Sequence, residues 1–286
     1  MTIASTCTDP ELIRLAEIYE MNLRAYTVAM AEEGDGYVQR DNDATMTAFP
    51  YTYWINGVVS PLLPVEGTRA RLDEILGVFR RLGREVWFTV GPSSEPTDIA
   101  RILKARGLRN YHNRPFMACR LADHPTEYPI PAEITVHTVD DYGLFSLRPH
   151  PILKRIATAR KRHIISTFSR LMQKRPRKHW MFIADWAGTP VGTAIVYLHR
   201  GSAGIYDVEV LEECRGQGIG TALLQSVCAF SRDQGAETAV LAASEQGTRF
   251  YPRFGFQLVG RYPTYYYSIA KQKADAARES AEIGRE

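Results

Sequence analysis

Several things are scarce in this chain of 286 residues, and each absence narrows its function. No run of 18 apolar residues occurs, so a membrane-spanning helix is not expected. Residues 1–10 lack the basic start and apolar core of a secretory leader. Cysteine is rare: Cys7, Cys119, Cys214 and Cys228 show no metal-ligand spacing, so no metal is expected. Four scattered thiols suit a reducing compartment, and a cytoplasmic location is the expectation. A formal net charge of +3 is too small to argue nucleic-acid binding by itself. What is present is ordinary globular material, 45% hydrophobic and 23% charged. That length suits two domains of about 150 residues each.

The pattern along the chain bears this out. Asp9 caps a helix running to about Glu33, with Leu12, Leu15, Ile18, Tyr19, Leu23 and Tyr26 as its apolar stripe. Gly34 and Gly36 end it. Short strands at residues 37–40 and 45–49 flank the Asp41-Asn42-Asp43 turn, and 54–59 reads as another. An amphipathic helix (68–82), a strand (86–90), a helix (97–106) and a strand (115–121) follow. Residues 122–131 carry Pro125, Pro129 and Pro131 and read as a linker. The pattern then restarts: a strand at 134–137, a helical stretch opened by Asp140-Asp141, a basic helical region at 152–173 and a hairpin at 180–198. A strand at 205–210, a glycine turn, a helix to about Asp233, a strand at 237–243 and a short helix near 247–253 come next. Strands at 256–259 and 264–269 close the sheet.

The halves resemble each other. VWFTVGPSS (86–94) aligns with TAVLAAS (238–244), and KARGL (104–108) with PRFGF (252–256). Gly67-Thr68 stands where the second half has its glycine turn, but keeps one glycine there. The expected organisation is a tandem: residues 1–122, a linker at 123–131, residues 132–270, and a polar tail at 271–286.

The most informative stretch is IYDVEVLEECRGQGIGTALL, residues 205–224. A strand leads through an acidic connection into Gly216, Gly218 and Gly220, and a helix starts near Thr221. Glycines let the backbone approach a ligand closely. Unpaired N–H groups at the helix start face the same spot, beside the positive end of the helix dipole. This is a phosphate cradle. The spacing G-x-G-x-G does not complete a dinucleotide fingerprint, and no Lys follows to make a nucleotide P-loop.

Arg215-x-x-Gly218-x-Gly220 resembles the coenzyme A pyrophosphate loop of the GCN5-related N-acetyltransferases, the GNAT family. Around it, in family order, stand the hairpin, the strand at 205–210 and Phe250-Tyr251-x-x-x-Gly255-Phe256, similar to the family's Phe-Tyr-x-x-x-Gly-Phe signature. The resemblance covers about 134–269. It implies an α/β fold with a mixed, splayed GNAT-type sheet flanked by helices, here as two tandem GNAT-like domains, the first with a degraded loop. It also implies acetyl-CoA (coenzyme A) as cosubstrate. The backbone N–H groups of Arg215, Gly216, Gln217, Gly218, Ile219, Gly220 and Thr221 would hold its pyrophosphate. A bulged strand would free Val208 and Val210 for the pantetheine arm, the Val210 N–H acting as oxyanion donor. Tyr251 would protonate the departing thiolate. Ser244 stands where many members carry Asn, and the Pro often found before the glycine loop is absent from Leu211-Glu212-Glu213-Cys214.

Amine attack needs a neutral nucleophile, so a carboxylate must take a proton. Alternation along the strand sets Tyr206, Val208 and Val210 on one face and Asp207 and Glu209 on the other. Glu209 is the first candidate base and Asp207 the second. Between Tyr142 and Ala184 no acid occurs, while Lys154, Arg155, Arg160, Lys161, Arg162, Arg170, Lys174, Arg175, Arg177 and Lys178 are all basic. This basic 154–178 region could hold an anionic acceptor or RNA, or be a solvated face. Sparse aromatics argue against single-strand stacking. His150, His163 and His179 are weaker base candidates. The expected function is acetyl transfer to a primary amine of a small molecule. The alternatives are a coenzyme-binding module without chemistry, or an acetyltransferase acting on a protein or RNA-associated amine.

Overall fold

The computed structural model describes residues 9–50, 56–124, 128–141, 158–268, 270, 271 and 273. Local signals set the element ends. Helix α1 spans Pro10–Glu33; the Asp9 carboxylate accepts the Glu11 N–H at 2.9 Å, and Pro10 fills a position whose missing N–H costs nothing. Gly34 closes it by donating its N–H to Met30 O. Strands β1 (Tyr37–Arg40), β2 (Thr45–Ala48) and β3 (Gly57–Val59) follow. Helix α2 (Thr68–Leu82) starts at Gly67 and stops at Gly83, both left-handed. Then come β4 (Val86–Thr89), α3 (Ile99–Ala105) and β5 (Arg109–Arg120). The second half comprises β6 (Ile134–Thr138), α4 (Thr158–Gln173), β7 (His179–Trp186), β8 (Thr189–His199), β9 (Ser202–Val210), α5 (Ile219–Asp233), β10 (Thr238–Ala242), α6 (Gly247–Phe250) and β11 (Gln257–Tyr267). The helical stretch expected after Asp140-Asp141 falls on residues outside those described, as do Lys154, Arg155 and His150.

Among the described residues, eleven strands form one open mixed sheet, in the order β1-β2-β3-β4-β11-β5-β10-β9-β8-β7-β6. Each half contains a strand, turn, helix and parallel strand: β3–α2–β4 and β9–α5–β10. The last strand of each half then pairs in the other. Strand β5 lies antiparallel to β10, and β11 lies antiparallel to β4, with β5 and β11 paired side by side between them. The sheet therefore pairs strands from both sides of the linker expected at 123–131. Two closing strands expected at 256–259 and 264–269 are one strand, β11, with bulges between Leu258 and Gly260 and between Thr264 and Tyr265.

Helix α5 covers one face of the second half. Its Ile219, Leu223, Leu224 and Val227 pack on Ala194, Ala203, Ile205 and Leu241, with Phe254 and Phe256 closing the edge. Truncating a side chain as enclosed as Leu223 costs about 2–5 kcal/mol. The opposite face is covered by α1 and α4 together: Tyr26 and Met30 join Ile164, Phe168 and Leu171 over Met181, Ile183 and Ile195. A helix of the first half thus roofs the sheet of the second. The α1 stripe differs from the expected one, because Glu20 and Asn22 are buried on it while Leu12, Ile18 and Leu23 are only partly so. Both polar groups are satisfied. Glu20 accepts from Ser93 N–H and Oγ–H and from Tyr262 Oη–H, and Asn22 bridges Tyr197 O, Ser202 Oγ and Tyr206 Oη.

Much of the basic 158–178 segment has structural partners. Arg170 pairs with Asp35 at 3.0 Å and Lys174 with Glu33 at 2.5 Å, tying α4 to the end of α1. Arg177 donates to Val139 O, reaches Asp140 at 3.4 Å and stacks on Trp180 at 3.7 Å. Arg175 donates to the carbonyls of Met172, Gln173 and Lys174. Among the described residues, no helix is long and apolar enough to cross a membrane.

Candidate active site

Strand β9 is regular until Tyr206. Tyr206 faces Ile195 and Glu209 faces Thr193, so Asp207 and Val208 together stand opposite Ala194 alone. This is a β-bulge, and Asp207 sits in it with φ 47°. Aspartate tolerates that left-handed conformation better than most side chains. Thr193 Oγ1 steadies the bulge by donating to Asp207 O at 3.4 Å.

The extra residue resets the pleat, and here simple alternation fails. Ile205, Val208 and Val210 pack with α5, whereas Tyr206 lies on the opposite face, stacked on Tyr26 at 4.1 Å and donating to Asn22 Oδ1 at 2.7 Å. Glu209 alternates with Val208 and Val210 and so takes the face roofed by α1 and α4.

Past the bulge, β9 leaves β10. Their parallel pairing runs from Ser202↔Thr238 to Ile205↔Leu241, and no described β10 residue pairs with residues 206–210. Strand β10 ends by following β5 instead, Ala243 N–H donating to Pro115 O. On its other side β9 stays with β8. Val210 faces Gly192, and Leu211 N–H donates to Val191 O at 2.8 Å. Antiparallel pairs alternate between bonded and non-bonded. Val210 is therefore in a non-bonded pair, with its N–H aimed away from β8 and into the split.

The glycine turn follows directly. A single 3-10 turn, Glu212–Cys214, replaces the absent proline as the entry to the loop. Arg215 is exposed, but its Nε donates to Val210 O at 3.3 Å, fastening the loop to the strand end. Gly216 has φ 78°, and a Cβ there would meet nothing within 4 Å. Gln217 is exposed. Gly218 (φ 88°, ψ −7°) is the N-cap of α5, which begins at Ile219, two residues before the start expected at Thr221. The first helical bond is Ala222 N–H to Gly218 O, which leaves the N–H groups of Ile219, Gly220 and Thr221 without a helical acceptor. Gly220 has a packing reason: a Cβ there would stand 3.3 Å from the Phe250 ring.

Tyr251 opens the 3-10 turn after α6. Its ring lies 5.3 Å from Phe250 and 5.7 Å from Phe256, on the edge of the apolar cluster that also borders Val208 and Val210. Burial pushes its hydroxyl up to about 12, with Cys228 adding to the shift, so the phenol keeps its proton at neutral pH. Ser244 is committed to local structure: its Oγ accepts the Gly247 N–H at 3.0 Å. His179 is a core residue, stacked on Phe168 at 5.3 Å, and burial lowers it to about 3.

The first half repeats this design with the split closed. Ser60 follows β3 with φ 47°, as Asp207 does in β9, and Gly67 caps α2 with φ 78°. Yet the strands beyond Ser60 remain together: Glu95 N–H donates to Pro61 O at 2.8 Å, Leu63 N–H to Glu95 O at 3.0 Å, and Leu62 bridges Glu95. Sequence reasoning missed Asn22, Tyr26 and Thr193, which hold the bulged strand from both sides. The one available signal was an asparagine between aromatic residues on a helix stripe.

Comparison with known proteins now bears on this geometry. Residues 149–256 match the model of the acetyltransferase (GNAT) family. This segment belongs to the GNAT family. Among relatives, it is 37% identical over 90 residues to a probable N-acetyltransferase family 8 member 5 of Mus musculus, covering 28% of this chain and 40% of that protein. It is 40% identical over 53 residues to a glucosamine 6-phosphate N-acetyltransferase of Trypanosoma brucei brucei, covering 18% of this chain and 36% of that protein. The chain thus spans well under half the length of the curated relatives it matches. A tandem GNAT protein from the clavulanic acid biosynthesis pathway shares the fold over 89% of this chain and 97% of its own, at a TM-score of 0.59 and 15% identity. The GNAT match stops at 256, before β11, the strand exchanged into the first half.

Proposed function

We propose that this GNAT chain is an acetyl-CoA-dependent N-acetyltransferase, acting on a primary amine of a small molecule by direct attack, with residues 132–270 carrying the chemistry. The observation that carries the reading is the split after the Asp207 bulge, which opens beside a left-handed Gly218 at the head of α5. The residues present fit the coenzyme. Three N–H groups without helical acceptors and the open space over Gly216 suit a diphosphate, and the gap between β9 and β10 suits an extended arm.

Acetyl-CoA, when bound, supplies the acetyl thioester. The chain's own groups then divide the work. The Val210 N–H, turned into the split, would donate to the thioester carbonyl oxygen as negative charge grows there, and Arg215 ties down the carbonyl of the same residue. Glu209, on the face away from α5, takes the proton from the attacking amine, with Asp207 as second candidate. Tyr251 retains its proton at neutral pH and gives it to the departing sulfur. The first half would be non-catalytic: its split is bridged by Leu62 and Glu95, and its α1 roofs the acceptor side through Asn22 and Tyr26. The Trypanosoma relative's named acceptor, an amino sugar phosphate, supports a small-molecule amine.

The test is release of free coenzyme thiol with a broad panel of amines. Glu209→Gln and Tyr251→Phe are each expected to lower kcat by about 10²–10⁴-fold while acetyl-CoA affinity changes little. Wild-type turnover at background across the panel would end the enzyme reading and leave a coenzyme-binding module.

A further inference from the structure

A cavity of about 410 Å³ lies at the far end of β9, between α1 and the β8–β9 turn. Nine residues of extended strand, about 25 Å, separate that turn from Val210. Its floor is apolar, formed by Ala25, Val28 and Ala29 of α1, and its rim is cationic: Arg24, Arg40, Lys178 and Arg200. Glu32 is the one carboxylate in the lining, and Arg40 neutralises it.

The other three cations have no such partner. Arg24 donates to the backbone carbonyls of Val59 and Ser60, and among the described residues neither Lys178 nor Arg200 reaches a carboxylate. Arg200 is also an unexpected choice for its place. It holds φ 46° beside Gly201 at φ 72°, in a two-residue hairpin turn where Asn, Asp or Gly is the usual occupant. Ala187-Gly188 holds the same left-handed pair in the β7–β8 turn, so the backbone alone asks for no ligand; what sets Arg200 apart is a charge on the cavity rim with no acid to offset it. The size and the apolar floor under a charged rim match a small organic ligand rather than a bare ion.

We infer that this cavity binds a small organic phosphate, its phosphoryl group between Lys178 and Arg200 and its body over Ala25 and Val28, at a site separate from the acyl-transfer site. His199 lies in the same lining and reports on it. Burial lowers its pKa and the adjacent Lys178 and Arg200 lower it further. Arg24, Arg40, Glu32 and Tyr197 are the other ionisable groups facing the cavity. A bound phosphate dianion reverses the sign of the local field and raises the His199 pKa.

Phenyl phosphate is the probe, with inorganic phosphate and phenol as controls, and the readout is the His199 ring resonance, assigned with His199→Gln. Saturable binding of phenyl phosphate, at least tenfold tighter than inorganic phosphate, is expected, with the His199 pKa moving up. Lys178→Ala and Arg200→Gly should each weaken it about tenfold or more, as loss of a charge-assisted contact does. Glycine suits the turn at residue 200, so Arg200→Gly should melt no lower than wild type and cannot fail merely by misfolding. Saturating acetyl-CoA should leave phenyl phosphate binding intact. No saturation at millimolar probe, unchanged affinity in both variants, or competitive displacement by acetyl-CoA would overturn the inference. Because binding alone is read, the outcome is independent of whether the chain transfers acetyl groups.

Discussion

Replacing Gly218 by alanine separates two roles of one residue. Its φ of 88° lies in the left-handed region, where a Cβ costs about 1–2 kcal/mol. The added methyl would also stand 3.2 Å from Pro131 Cδ, tighter than ordinary contact. The loop answers either by keeping its shape, at the expense of stability, or by rotating, which swings the N–H groups at the head of α5 off target. Losing one charge-assisted hydrogen bond costs about 1.5–3 kcal/mol, or about 10- to 150-fold in affinity. Gly188 supplies the control. It has φ 78° in the turn between β7 and β8, and a Cβ there meets nothing within 4 Å. Gly188→Ala should lower Tm by about 2–4 °C per kcal/mol lost and leave acetyl-CoA binding alone. Gly218→Ala should raise the calorimetric Kd for acetyl-CoA by at least about tenfold. If Gly218→Ala melts lower like Gly188→Ala but binds acetyl-CoA like wild type, the loop does not hold the diphosphate.

The remaining expectations concern ionisation. With the Tyr251 hydroxyl pushed up to about 12, kcat/KM should show no falling limb from this group below about pH 10, and Tyr251→Phe should lower the profile without altering its alkaline shape. An alkaline limb near pH 8 that vanishes in Tyr251→Phe would contradict the burial argument. His179, at about 3 in the folded protein against 6.5 when exposed, takes up a proton on unfolding anywhere between those values. Stability is therefore lost as pH falls through 6.5 toward 3, by about 2 kcal/mol at pH 5. Neither ring nitrogen has a hydrogen-bond partner among the described residues, so His179→Phe should be at least as stable at pH 7 and should lack that loss. Equal losses in the two proteins, measured by urea melts at pH 7 and pH 5, would refute it.

Local chemistry was legible from the residues and long-range pairing was not. Asp9, Gly34 and Gly83 mark helix ends through hydrogen-bond and φ requirements that act within a few residues, and the Gly216–Gly220 turn is of the same kind. Strand β5 was recognisable as apolar, but nothing in its own residues says that it crosses to β10 rather than closing the first half. The family resemblance implied a bulge in this strand, but its position at Asp207 was not legible, for another reason. Alternation assumes an uninterrupted pleat, and a non-glycine left-handed residue carries no mark in a single sequence. Placing Tyr206 with Val208 followed from that assumption, and the structure sets them on opposite faces. Glu20 and Asn22 escaped notice because buried polar groups on a helix are understood only once their partners, 73 to 242 residues away, are known.

Hydrogen exchange with and without acetyl-CoA reads the central claim directly, amide by amide. Strand β9 past its bulge and the head of α5 should slow on adding the coenzyme, across residues 208–221, while the matching segment 60–68 of the first half stays unchanged. Equal slowing in both segments, or none across 208–221, would contradict an open split in one half and a closed one in the other.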